Sequence, residues 1–247
     1  MNLNALKIPD SFMGKPIDGA TKKLEARLKE TKSGIVVPSG SLGIDLQPAL
    51  NGEGHTQKDW IAKYVSQEGE FKGKRMITAP DVYQVGKDGS EDLLKSLRDD
   101  FVNDLIITGT YIIYERNNLS GEIFHDAYLA KTRDLTNDLA KILCYQGTSV
   151  KDVVKGNGLF FAQALFGTKD KPNEIISTLE RLTQKPADKI NFSTPPLDSR
   201  RKVCAVGFSY SYDDDRFLVS GNYGYGFSGR SRGVLLDSES KTRSKSK

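Results

Sequence analysis

Residues 105–116 read LIITGTYIIYER, and residues 122–130 read EIFHDAYLA. The first run is β-branched and aromatic throughout, the composition of a strand. The second alternates apolar and polar residues, as a partner strand does. Between them lies NNLSG, residues 117–121, and Asn and Gly tolerate the backbone angles of a hairpin turn. The three pieces predict a β-hairpin at the middle of the chain. That hairpin decides the fold class, because strands joined by a short turn pair antiparallel.

Toward the N-terminus, a helix is signalled next. Ser90 is an N-cap residue, Glu91 and Asp92 stand where the helix dipole favours acids, and Leu93, Leu94, Leu97 and Phe101 share one face. Pro80 reads as a break before it. Residues 59–65 and 71–77 read as two strands joined by the turn SQEGE, and NGEGH, residues 51–55, as a turn. Residues 34–46 read as two strands broken by Pro38 and Gly40, and residues 21–31 as a short, charged surface helix with Leu24 and Leu28 on one side.

Toward the C-terminus, Thr132 opens a helix that buries Leu135, Leu139, Ile142 and Leu143. Residues 150–166 read as helical, interrupted at Gly156 and Gly158. Asn173 reads as the cap of a further helix, with Ile176, Leu179 and Leu182 on its core side. A linker with Pro186 and Pro195-Pro196 follows, then strands over 202–212, 216–226 and 231–236. The order is strands, helix, hairpin, three helices, strands. It lacks the βα alternation of a doubly wound parallel sheet. The fold expected is α+β: a mixed or antiparallel sheet with a central β-hairpin, three or more helices on one face, and Gly/Tyr-rich C-terminal strands paired with the hairpin. The expected organisation is an arm over 1–20, one domain over 21–236 with a sub-boundary allowed near 185–200, and a basic disordered tail over 237–247.

Composition narrows the function. The 247 residues are 37% hydrophobic and 28% charged, as in a globular protein. No apolar run is long enough to span a membrane. The N-terminus lacks the basic and apolar regions of a secretory signal, and two cysteines, Cys144 and Cys204, suit a reducing compartment. The expectation is a cytoplasmic protein, or one of a virion or its host's cytoplasm if phage-encoded. Catalytic constellations are missing. His55 lies in a Gly-rich turn, His125 on a strand, and no G-x-S-x-G elbow accompanies them. The two cysteines have no CxxC or HxxxH partner. Asp213-Asp214-Asp215 lacks the ligand alternation of a calcium loop. The reading is therefore non-enzymatic, with no cofactor and no metal.

What remains is residues 203–233, VCAVGFSYSYDDDRFLVSGNYGYGFSGRSRG. Residues 200–247 hold ten Lys/Arg against five acids, so their net +5 exceeds the +4 of the whole chain. Charge asymmetry of this kind suggests a polyanionic partner. Tyr210 and Tyr212, and then Tyr223, Tyr225 and Phe227, stand at i, i+2 spacing, so each set projects from one face of its strand. Such rings serve either as a half-buried core row or as a platform on which bases stack. Gly224-Tyr225-Gly226-Phe227 has no flanking residues of an RNA-recognition motif, and no Walker or dinucleotide loop is present. The candidate contact residues are Tyr210, Tyr212, Tyr223, Tyr225 and Phe227 for bases, and Arg230, Arg232, Lys241, Arg243, Lys245 and Lys247 for phosphates. The function expected is binding of single-stranded DNA or RNA. The alternative is a structural or assembly subunit of a phage particle or multi-protein complex, in a homo- or hetero-oligomer.

Overall fold

A computed structural model describes residues 43–114, 121–125, 145, 147–195, 202–211, 215–223 and 227–235. The arm at 1–20, the helices expected at 21–31 and after Thr132, most of the strand pair at 34–46, and the tail at 237–247 lie outside the described residues.

Chain order is β1 (His55–Thr56), α1 (Gln57–Ser66), β2 (Lys74–Met76), α2 (Ala79–Asp88), α3 (Glu91–Asn103), β3 (Ile106–Tyr114), β4 (Gly121–Phe124) and β5 (Thr148–Ser149). Then come α4 (Val150–Lys155), α5 (Leu159–Leu165), α6 (Pro172–Thr183), β6 (Ile190–Ser193), β7 (Lys202–Ser211), β8 (Arg216–Tyr223), β9 (Ser228–Gly229) and β10 (Gly233–Leu235). The fold is α+β. One curled six-stranded sheet runs β4-β3-β7-β8-β6-β5, and two small two-stranded sheets pair β1 with β9 and β2 with β10. The central hairpin is present, with Ile112 opposite Ile123, and β3 also pairs antiparallel with β7. All pairs of the large sheet are antiparallel except β6 with β8.

Four local readings change. Residues 59–65 are the helix α1, not a strand. Thr56 caps it, its hydroxyl accepting from Asp59 N at 3.2 Å, and Trp60, Ile61 and Tyr64 are buried at helical spacing. Pro80 does not break the chain but sits in the first turn of α2, where a missing N–H is harmless. Thr78 and Asp81 form a capping box there, with Thr78 N donating to Asp81 Oδ2 at 2.8 Å. The third helix begins at Pro172, so the buried stripe is Ile175, Leu179 and Leu182, with Ile176 only half-buried. Part of the expected linker is β6: Ile190 and Phe192 are buried and lie opposite Phe217 and Val219 of β8.

Two cores result. The larger packs helices α2 to α6 against one face of the sheet, through Ile106, Ile112, Val206, Phe208, Phe217 and Val219. The smaller packs Trp60, Ile61 and Tyr64 of α1 against the other face, on Leu105, Ile107 and Ala205. Neighbours on one strand thus serve different cores, because successive strand side chains point to opposite faces. A bulge in β3 between Ile107 and Tyr111 frees the carbonyls of Thr108 and Thr110. Gln57 Nε2 donates to both, at 2.7 and 2.9 Å.

Candidate nucleic-acid interface

The expected aromatic residues do not form one platform. Tyr210 lies on the helix side of β7, half-buried, with its ring edge-on to Phe217 at 5.2 Å. Its hydroxyl donates to the carbonyl of Thr183, and burial raises its pKa. Lys185 Nζ stands 5.5 Å from its ring centroid. Tyr223 lies on the opposite face, packed on the smaller core, with its hydroxyl 3.4 Å from Ser209 Oγ. Gly207 makes that position available: a Cβ there would come within 2.7 Å of Leu105 Cδ1 and 3.1 Å of the Tyr223 ring. Phe227 is 57% exposed and edge-on to Tyr223, with centroids 5.3 Å apart. Tyr212, Tyr225, Lys241, Arg243, Lys245 and Lys247 lie outside the described residues.

The two arginines expected to reach phosphate point inward. Arg232 has no exposed surface. Its Nε donates to Asp100 Oδ2 at 2.9 Å, and its Nη1 to the carbonyls of Asp45 and Leu46 at 3.0 and 2.5 Å. Its Nη2 donates to Ser96 O at 3.0 Å, to Ser96 Oγ at 2.9 Å, and to Asp100. A guanidinium so surrounded presents no donor to a phosphate. Arg230 keeps 26% of its side chain exposed; its Nη1 lies 3.3 Å from Asp100 Oδ1 and its Nε 3.8 Å from Asp104 Oδ2. Both arginines read as surface residues because Gly and Ser surround them. The segment instead runs inside the protein between β9 and β10, and small neighbours let other backbone approach it. A signal for this lay in α3. Asp100 stands three residues after Leu97 on the apolar stripe, and an acid there requires a buried cation.

His125, Asp81 and Asp215 also find their partners within the protein. His125 is buried, with Nε2 2.8 Å from the carbonyl of Ala164 and Nδ1 3.2 Å from Thr110 Oγ1. The Ala164 contact requires the proton on Nε2, so Nδ1 accepts from Thr110. Thr110 Oγ1 in turn accepts from Ala79 N at 2.9 Å. Burial pushes the His125 pKa down to about 4, against a smaller opposing pull from the Ala164 carbonyl and Asp81. Asp81 takes a two-pronged ion pair from Arg75 at 2.5 and 2.7 Å; that pairing overcomes its burial and holds its carboxyl below the usual range. Asp215 pairs with Lys185, which lowers its pKa; Asp213 and Asp214 lie outside the described residues. Cys204 is buried, and Cys144 lies outside the described residues. Among the described residues no three His, Cys, Asp or Glu side chains converge as metal ligands. A cleft of about 370 Å³ between α4 and α6 is walled by Lys151, Lys155, Glu180 and Asp188. Its charges balance, so it selects no ligand class. No described helix is long and apolar enough to cross a membrane. No protein-family model matches the chain, and neither does a curated protein or a solved structure.

Proposed function

We propose that the chain is a non-enzymatic protein that binds single-stranded nucleic acid, over a smaller surface than the rings and cations of the C-terminal region first suggest. The observation that carries this reading is Phe227, a ring 57% exposed and backed by Tyr223 at 5.3 Å. A base stacked there would gain about 1–3 kcal/mol. Phosphate contacts fall to Lys241, Arg243, Lys245 and Lys247, which follow in sequence, and not to Arg232. Four such contacts on a single strand imply a log–log salt slope of about −3. Between 50 and 200 mM salt the affinity then falls by roughly 50-fold. Anisotropy of a labelled oligonucleotide at the two salt concentrations tests the reading. Binding at low salt that falls by that factor, and that weakens roughly 5- to 150-fold in Phe227→Ala (about 1–3 kcal/mol), supports it. No binding at low salt, binding indifferent to salt, or an unaffected Phe227→Ala variant overturns it.

A second reading, an assembly subunit of a phage particle or multi-protein complex, rests on Phe160 of α5. It is 65% exposed, the most exposed large apolar side chain among the described residues. A self-associating subunit would show a concentration-dependent mass by light scattering, and Phe160→Ser would reduce it. A strict monomer at high concentration counts against self-assembly.

A further inference from the structure

Residues 228–235 form an inner strap between two parts of the molecule. On one side the strap holds residues 43–77. Asp45 N and Ala49 N donate to Gly233 O and Ser231 O, each at 2.9 Å, and Ile77 N donates to Arg232 O at 2.9 Å. β1 and β2 pair with β9 and β10, and Trp60 Nε1 donates to Gly229 O at 2.7 Å. On the other side, Val234 of the strap packs in the larger core, Arg75 pairs with Asp81 of α2 at 2.5 and 2.7 Å, and Ser96 Oγ of α3 donates to Leu46 O. Arg230 N donates to Leu105 O at 2.8 Å, Ile107 N donates to Arg230 O at 2.9 Å, and the side chains of Arg230 and Arg232 reach α3 at Asp100. The α1 segment also carries a core of its own, separate from the one under the helices, and that core meets the sheet at Leu105, Ile107 and Ala205.

We propose that residues 45–76 and the strap are a lid over the outer face of the sheet, latched to α3 by the Arg230/Arg232–Asp100 cluster and to α2 by the Arg75–Asp81 pair, and that the lid opens as a unit. Its hinge is at Ile77–Thr78, where the chain passes into the larger core. The sheet and α2 to α6 stay folded when it opens. Opening uncovers Leu105, Ile107 and Ala205, and it breaks the Gln57 bonds to Thr108 and Thr110. The bonds between the strap and residues 45–76 move with the lid. This inference does not depend on nucleic-acid binding.

Trp60 is the only tryptophan of the chain and is fully buried in the lid's core, so its fluorescence reads the lid alone. Far-UV ellipticity reads the helices of the body. In a urea titration, Trp60 should become accessible to acrylamide at lower urea than the ellipticity is lost. Asp100→Asn leaves a buried guanidinium uncompensated, so it should raise the opening constant on the order of 100-fold or more. The later loss of ellipticity should barely move, because the latch is already broken by then. Should Asp100→Asn not fold, hydrogen exchange of the wild-type amides decides. The amides of Arg230, Ile107 and Ile77, whose bonds join the strap to the body, should exchange together through a smaller opening than those of Phe192 in β6 and Val219 in β8. Coincident Trp60 and ellipticity transitions in wild type and variant overturn the lid. Equal exchange free energies for the two sets of amides also overturn it.

Discussion

Acid should weaken this fold through His125 before it reaches most carboxylates. The imidazole joins β4, the Thr110 hydroxyl of β3 and the Ala164 carbonyl of α5, and it is bonded as the neutral ring. Burial sets its folded pKa near 4, against the ordinary 6.5 regained on unfolding. As the pH falls, the unfolded chain therefore takes up the proton first. The stability contributed is whole above pH 6.5, declines from there to pH 4, and is gone below it. A shift of about 2.5 units corresponds to about 3 kcal/mol, lost at no more than about 1.4 kcal/mol per pH unit. Asp81, whose pKa is lowered below 3.8, loses its contribution only under more acidic conditions, so the two windows separate. Urea unfolding followed by far-UV ellipticity at half-unit steps from pH 8 to 4.5 measures the slope. His125→Gln keeps an amide donor for the Ala164 carbonyl and removes the ionisation. It should be less stable at pH 8 yet nearly flat across the window. A wild type with constant stability from pH 7 to 4.5 refutes the reasoning. So does a His125→Gln variant with the same fall.

Three further outcomes are expected. Gly207→Ala drives a methyl against Leu105 Cδ1 and the Tyr223 ring; chemical denaturation should show a loss of about 1–3 kcal/mol. Ser90→Ala removes the hydroxyl that accepts from Leu93 N at 3.3 Å at the start of α3, and it should lower stability by about 1 kcal/mol. Gln184 ends α6 at φ 55, in the left-handed region. Gln184→Gly relieves that conformation and should raise the melting temperature slightly.

The elements that could be read from sequence are those whose signals are local. The β3–β4 hairpin followed from its β-branched and aromatic run, and α3 from its Ser90 cap and four-residue stripe. The break between α4 and α5 followed from Gly156 and Gly158. The misread elements depended on distant partners. Residues 59–65 carry apolar residues that suit either period. The helix is selected by a Thr56 cap and by a second core whose other half lies 40 to 150 residues away. Strand β6 is too short and too near prolines to declare itself; it is a strand because β8 pairs alongside it.

The C-terminal region divides in the same way. Its composition determined that strands would form there, that rings would alternate with small residues, and that positive charge would collect after residue 200. Charge in a sequence carries no direction, however. Only the tertiary structure turned Arg232 inward onto Asp100, set Tyr210 and Tyr223 on opposite faces, and left Phe227 in solvent. The physical reason is the desolvation of a guanidinium. Arginine can be buried where a carboxylate and backbone carbonyls meet all its donors, and that arrangement is assembled from residues 45, 46, 96 and 100, far from it along the chain.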